Sequence, residues 1–338
     1  MKKWKFGLIG CGRISIQHIK AIKENNCELV AISDIIKEKA EKCGKENNCE
    51  YYTDNQKIYD HLNIDVICIT TPNGTHTEIG LKSLRAGKHV LLEKPLALNL
   101  DDVDKLIKTS GETGKNLFSV MQVRYNPAII ALKKFKDSLG KINQATLIIR
   151  MTRPQEYFKG WRGTKNLDGG SLINQGIHSV DIMQWVIGSV KSVYAITDTM
   201  SHKIEIEDAA LAILKFENGA YGLIEFTLNT YPKNMECSLT VLGENGTVKI
   251  GGKAINEIEF WDVKDCEKPE IEPGLKPNVY ANGLYQGSCP NHTQVYKDLI
   301  YDLENNTKKS LRAEDAKDSL RIILAIYESA KTGKEVFL

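Results

Sequence analysis

The chain has 338 residues, 42% of them apolar and 26% charged, with a formal net charge of +2. That length admits two domains and a sizeable buried core. The near balance of charge excludes a basic nucleic-acid-binding face as the main partner surface, while a local anion site stays open. The eight cysteines (Cys11, Cys27, Cys43, Cys49, Cys68, Cys237, Cys266 and Cys289) form no CxxC pair and no His/Cys cluster with zinc spacing, so no metal site is expected. Scattered cysteines without a secretion signal read as reduced thiols of a cytoplasmic protein. "MKKWKFGLIGCG" starts basic, but its apolar run is short and breaks at glycines, so it reads as a first strand. No apolar run approaches ~20 residues, and no membrane span is expected.

In chain order, "KFGLIG" (5–10), "LVAIS" (29–33), "DVICIT" (65–70), "HVLLE" (89–93) and "LFSV" (117–120) are nearly continuous apolar runs rich in Val, Ile and Leu. Such runs predict buried parallel strands. Helical stretches such as "ISIQHIKAIKENN" and "THTEIGLKSLRAG" alternate with them, which predicts a doubly wound α/β domain over residues 1–124. After about residue 125 the pattern changes. "INQATLIIRMTR", "KSVYAITDTM", "ALAILKFENGAYGLIEFTLN", "ECSLTVLGENGTVKIGG" and "INEIEFWD" follow one another with the hairpin signals "ENG" and "GENG". Helical patterns lie near 170–187 and 313–332. Residues 125–338 therefore read as an α+β domain with an open, mostly antiparallel sheet and helices on one face. The Pro/Gly-containing stretch 264–291 reads as a long functional or mobile loop.

A nucleotide site is predicted at the first turn. Gly10-Cys11-Gly12-Arg13-Ile14 closes the first strand and opens a helix, where a glycine turn lets backbone approach a pyrophosphate and the helix N-terminus favours negative charge. Ser15 replaces the third glycine of the GxGxxG pattern. Asp34 ends the second strand, where a carboxylate binds the adenine ribose hydroxyls and repels a 2′-phosphate; NAD is therefore preferred to NADP. Thr71, Pro72, Asn73 and His76 follow the third strand beside the expected cofactor, although His76 by itself reads as a solvated residue near a helix start. Lys94, within Glu93-Lys94-Pro95, follows the fourth strand, and ligands of open α/β sheets bind beyond such strand ends.

"GGSLINQGIHSVD" (169–181) carries Asn174 and His178, four residues apart and so on one face of a helix, with Asp181 three residues further. Together the GxGxx-small turn, "EKP" and this helix resemble the glucose–fructose oxidoreductase / inositol dehydrogenase family over nearly the whole chain. The resemblance implies a Rossmann domain, a second α/β domain, NAD(P), oxidation of a sugar or polyol hydroxyl, and a homo-oligomer. It implies Lys94 and His178 as catalytic residues. It also implies a cofactor set of Gly10, Gly12, Arg13, Ile14, Asp34, Thr71, Pro72, Asn73, His76, Glu93, Lys94 and Gln122. Many family members carry aspartate where this chain has Asn174. "TRPQEYFKGWRGT", "DGGSLINQGIH", "IEIEDAA" and "TYPKN" are similar to the UDP-N-acetylglucosaminuronate 3-dehydrogenases, a subgroup in which asparagine is usual there.

The segment 150–165 carries Arg150, Arg153, Lys159, Arg162 and Lys165 with Glu156 as its only acid, and includes Tyr157 and Trp161. By itself this is a solvated basic loop; beside the His178 helix it matches a substrate with a diphosphate and a carboxylate. The expected substrate set is Lys94, Arg153, Tyr157, Trp161, Arg162, Asn174 and His178, with Asn174 adding no negative charge against a uronate. Tyr280, Tyr285 and His292 read either as a pocket loop or as a surface loop, and Gln122, Arg124 and Asn126 as alternating residues of an extended junction. Histidine suits proton removal because its unperturbed pKa is ~6.5, so His178 is the expected proton acceptor and Lys94 the partner of the same oxygen, roles that can be shared or reversed. The alternatives are another sugar or polyol substrate, a non-catalytic NAD-sensing regulator, and a resident cofactor recycled by a second substrate such as 2-oxoglutarate.

Overall fold

The structure is a computed structural model that describes residues 2–280 and 285–338. The chain forms two compact units, residues 1–121 with 292–317 and residues 122–291 with 318–338. The expected division at 124/125 is linear and does not contain the return of residues 292–317 to the first unit.

The first unit contains β1 (Lys5–Ile9), α1 (Ser15–Glu24), β2 (Glu28–Ser33), α2 (Lys37–Asn47), β3 (Glu50–Tyr52), α3 (Gln56–Tyr59), β4 (Val66–Ile69), α4 (His76–Arg85), β5 (His89–Leu92), α5 (Leu100–Thr113) and β6 (Leu117–Ser119). Its six strands are parallel in the order β3-β2-β1-β4-β5-β6. β1 and β4 lie side by side where the strand order reverses, and the Gly10 turn leaves the sheet at that crevice. Both faces of β4 are buried, which is why "VICI" is apolar throughout. The five expected strands are present; β3, a short and largely exposed edge strand, carried no such pattern.

The second unit contains α6 (Pro127–Phe135), β7 (Ile142–Arg150), α7 (Ile177–Ile187), β8 (Val190–Asp198), β9 (Ala209–Phe216), β10 (Tyr221–Thr227), β11 (Glu236–Gly243), β12 (Gly246–Gly251), β13 (Glu257–Val263), β14 (Val279–Tyr280) and β15 (Tyr285–Gln286). Then come α8 (His292–Asn305), which packs beside α1 in the first unit, α9 (Ala313–Thr332) and β16 (Val336–Phe337). The eight-stranded sheet runs β13-β12-β11-β7-β10-β9-β8-β16, antiparallel except for the β7–β10 pair. The signals "ENG" and "GENG" form the β9–β10 and β11–β12 hairpins. On β9, Ala210, Ala212, Leu214 and Phe216 face inward, whereas Leu211 and Ile213 are exposed with Tyr194, Ile196, Tyr221 and Leu223 of the neighbouring strands.

The expected helix 170–187 begins differently. Residues Leu172–Gly176 form a π turn and only Ile177–Ile187 is α-helical. A π turn spaces its hydrogen bonds five residues apart rather than four, so the helix that carries Asn174 and His178 starts with a wider turn than an α-helix has. Gly170 is required just before it: a Cβ there would lie 2.0 Å from the Tyr327 hydroxyl. That hydroxyl donates to Glu207 Oε1 at 2.7 Å, and the same oxygen accepts the Leu172 N–H at 2.6 Å. The next residue, Asp208, accepts backbone N–H groups of Met200, Ser201 and His202 and the Asn229 amide.

Burial pushes the Asp208 carboxyl up, but these donors outweigh it and hold it at about 2. A depressed folded-state value stabilises the native state above the unfolded value of ~3.9, and that stability is lost as pH falls through the folded value. Urea unfolding between pH 5 and pH 2 is expected to show a steeper acid loss for wild type than for Asp208→Asn.

Candidate active-site residues

Gly10 has φ +101°, and a Cβ there would lie 2.9 Å from the Thr70 carbonyl and 3.0 Å from Thr71 Cγ2. Only glycine can bring the turn this close to the end of β4. At Gly12 a Cβ would meet nothing within 4 Å. That open space at the start of α1 fits a pyrophosphate lying on backbone. The buried Ser15 hydroxyl donates to the Gly12 carbonyl at 2.6 Å, so the small residue replacing glycine secures the turn. Arg13 is exposed and Ile14 half-buried at the N-cap of α1. Asp34 Oδ2 accepts the Cys11 N–H and Oδ1 the Ile36 N–H, both at 2.8 Å. Those bonds aim a carboxylate beside the turn and leave acceptor capacity for ribose hydroxyls. The Thr71 hydroxyl bonds Thr75 at 2.7 Å, Pro72 starts a short 3₁₀ turn, and Asn73 is buried.

Two residues expected at the cofactor do other work. His76 is fully buried, with Nδ1 2.7 Å from the Pro95 carbonyl and Nε2 3.0 Å from the Thr71 carbonyl. It is not a solvated residue, and both ring nitrogens are taken by the loops it joins. Glu93 is also buried, and its carboxylate faces His18 and His292 rather than a cofactor. His292 is thus an interior residue of the first unit and not part of a pocket or surface loop. Lys94 follows Glu93, half-buried, past the end of β5.

In the second unit, residues Gln122–Tyr125 form a 3₁₀ turn, not an extended strand. Arg124 makes a two-pronged ion pair with Asp181, at 2.6 and 2.7 Å, so Asp181 ties α7 to the turn that carries Arg124. Asn126 donates to the carbonyls of Ala254 and Ile255. The Gln122 amide donates to Ser288 at 2.9 Å, while its buried Oε1 has no protein partner among the described residues. Such an orphaned acceptor fits a ligand that donates a hydrogen bond.

The basic segment divides sharply. Arg150 is paired with Glu225 and Glu236, acids distant in sequence, and is structural. Arg153 is 5% exposed. Its Nε and Nη2 donate to Gln175 Oε1 at 3.1 and 2.7 Å, and Nη1 to the Thr152 carbonyl at 2.8 Å. No carboxylate pairs with it among the described residues. Burial pulls its guanidinium below its ordinary value, opposed by Tyr157 and Tyr285, yet arginine stays charged. The guanidinium lies 4.7 Å from the Tyr285 ring and 5.4 Å from the Tyr157 ring, and Arg162 lies 5.0 Å from the rings of Tyr157 and Trp161. Lys159 and Lys165 are exposed.

Asn174 is buried and its amide donates to Asp168 Oδ1 at 2.5 Å; Asp168 Oδ2 accepts the Gly163 N–H at 2.7 Å. The carboxylate already beside it is a local reason for asparagine at 174, separate from any charge on a substrate. His178 is buried in the first turn of α7. Sequence reasoning missed Asp168, Gln175 and His18; of these only His18 had a signal, because Ser15, His18, Ile19 and Ile22 fall on one buried stripe of α1.

The glycine cradle, the Asp34 carboxylate and the strand-end lysine define an oxidoreductase with a dinucleotide-binding Rossmann domain. Residues 4–121 match the family model described as "Oxidoreductase family, NAD-binding Rossmann fold", and residues 135–338 the model "Oxidoreductase family, C-terminal alpha/beta domain". The chain belongs to the glucose–fructose oxidoreductase / inositol dehydrogenase (Gfo/Idh/MocA) family, and its cofactor is NAD. It is 35% identical to the WlbA dehydrogenase of Bordetella pertussis, solved in complex with NADH and UDP-GlcNAcA (TM-score 0.89, covering 100% of this chain and 99% of that one). The Chromobacterium violaceum WlbA dehydrogenase, in complex with the same two molecules, is 32% identical (TM-score 0.90, 100% and 96%). The myo-inositol 2-dehydrogenase of Thermotoga maritima is 25% identical over 99% of this chain and 98% of its own length.

Two substitutions separate cradle from scaffold. Gly12→Ala is expected to fold normally but to weaken NADH binding at least about tenfold, ~1.4 kcal/mol, in a fluorescence titration. Gly10→Ala is expected to lower the melting temperature instead. Asn174→Asp places two buried carboxylates together and is expected to cost at least ~2 kcal/mol in urea unfolding near pH 7, recovered in part when Asp168 is also changed to Asn.

Proposed function

We propose that the chain oxidises the C3′ hydroxyl of UDP-N-acetyl-D-glucosaminuronic acid to the 3-keto sugar, in the synthesis of diacetamido uronic acids for surface polysaccharide. One observation carries the choice of an anionic substrate. Arg153 is a buried cation whose acceptors are neutral, and a buried charge is costly unless an anion meets it. A uronate carboxylate or a diphosphate supplies that anion, with Arg162, Tyr157 and Trp161 beside it; a neutral polyol does not. The WlbA structures, in complex with UDP-GlcNAcA, support the same class. The inositol dehydrogenase relatives favour a polyol as the second reading, and such a substrate leaves Arg153 without a counter-charge.

NAD, when bound, supplies the acceptor for the hydride on the carbinol carbon. His178 takes the hydroxyl proton, and Lys94 donates a hydrogen bond to the same oxygen and stabilises its developing charge. Asn174, fixed by Asp168, borders the sugar without adding a negative charge.

The test is a panel of UDP-N-acetylglucosaminuronate, UDP-N-acetylglucosamine, inositol and glucose with NAD, read as NADH formation. Turnover of the uronate is expected; turnover of neutral substrates alone overturns the proposal. Arg153→Met is expected to raise KM for the uronate about 100-fold, ~2.7 kcal/mol, while keeping or raising the melting temperature, since it removes an unpaired buried charge. His178→Ala is expected to lower kcat by a factor on the order of 100 or more with NADH affinity retained.

A further inference from the structure

Glu93 poses a physical question that cofactor binding does not answer. Its carboxylate is buried in the first unit, where a charge costs several kcal/mol. Oε1 lies 2.8 Å from His18 Nε2 and 3.4 Å from His292 Nε2; Oε2 accepts the backbone N–H of Lys94 at 3.1 Å. His18 Nδ1 faces the Tyr296 hydroxyl at 2.9 Å and the Cys68 thiol at 3.1 Å, and these two lie 3.3 Å apart. A carboxylate only accepts, so His18 must carry its proton on Nε2, and Nδ1 must accept from Tyr296 or Cys68. One proton arrangement then satisfies the chain from Tyr296 and Cys68 through His18 to Glu93. The titration directions agree: burial holds His18 below its ordinary value, so it is neutral. Burial pushes the Glu93 carboxyl up, but the hydrogen bonds from both histidines outweigh it and keep it ionised.

Stability does not require this arrangement, because apolar residues of similar volume fill such a space as well or better. What the carboxylate alone provides is a rigid acceptor for the main chain at Lys94. We propose that Glu93, His18 and His292 are positioning residues: they clamp the strand end so that Lys94 is presented in one orientation, and they act on the reaction only through it. The proposal rests on the reading of Lys94 under Proposed function.

The experiment compares Glu93→Gln, His18→Leu and the milder His292→Gln, each alone and with Lys94→Ala, in the full-length protein with NAD. Turnover of UDP-N-acetylglucosaminuronate is read beside NADH affinity, melting temperature and the rate at which acetic anhydride labels Lys94, resolved by peptide mass spectrometry. Expected are a loss of kcat of about tenfold or more, NADH affinity within about threefold, a Lys94 labelling rate altered at least about twofold while other lysines keep theirs, and no further loss of kcat in the Lys94→Ala background. His18→Gln, which keeps a donor toward Glu93, is expected to restore much of the activity lost in His18→Leu. Costs that add to that of Lys94→Ala, or Lys94 labelling unchanged in folded variants, overturn the clamp. Wild-type turnover in Lys94→Ala overturns the catalytic reading of Lys94, and the clamp's role in the reaction with it; the labelling rate still reports whether Glu93 orients the lysine.

Discussion

The irregular segments on either side of α7 are organised by buried carboxylates that accept backbone N–H groups. Asp168 takes Gly163, Glu207 takes Leu172, and Asp208 takes the turn at 200–202. Each carboxylate spends its charge on main chain that has no regular partner, and so gives irregular segments a fixed shape. None of them pairs with Arg153. The same bonds that shape the loop leave its buried cation on neutral acceptors among the described residues, the feature on which the proposal of an anionic substrate rests. The π turn follows from this framework: the Tyr327 hydroxyl, Glu207 and the cramped Gly170 set where the coil starts, and the α-helix resumes five residues later.

The two units use their polar interiors differently. In the second, charges hold loops. In the first, one carboxylate faces two imidazoles, one of them bonded in turn to a phenol, and reaches the main chain of a strand end. Both designs accept a desolvation cost in exchange for geometry, at segments where a packed apolar core would allow several arrangements.

Much of the fold was legible because its signals are local. The continuous apolar runs of β1, β2, β4, β5 and β6 announce strands buried on both faces, and Gly10-Cys11-Gly12 with Asp34 needs only one βαβ unit to be read. The partners of buried charges were not legible, because they come from far along the chain. Glu93 meets His292 across 199 positions, and Arg150 finds Glu225 and Glu236 on neighbouring strands, so a run of basic residues did not reveal that only Arg153 is buried without an acid. His76 misled for a related reason: a polar residue beside a helix start has no local mark of burial. The spacing of Asn174 and His178 fits one helical face, but periodicity does not encode the wider first turn, which Gly170 sets against Tyr327.

The return of residues 292–317 to the first unit bears on synthesis at the ribosome. A nascent chain that has emerged only as far as β6 holds Glu93 and His18 but neither His292 nor Tyr296, and α1 lacks its neighbour α8. The nucleotide-binding unit therefore lacks these contacts when its own sheet is complete. They become available only after residues 122–291 have been made, and the second unit in turn receives residues 318–338, with Tyr327, only after that, so each unit is completed after residues of the other have been synthesised.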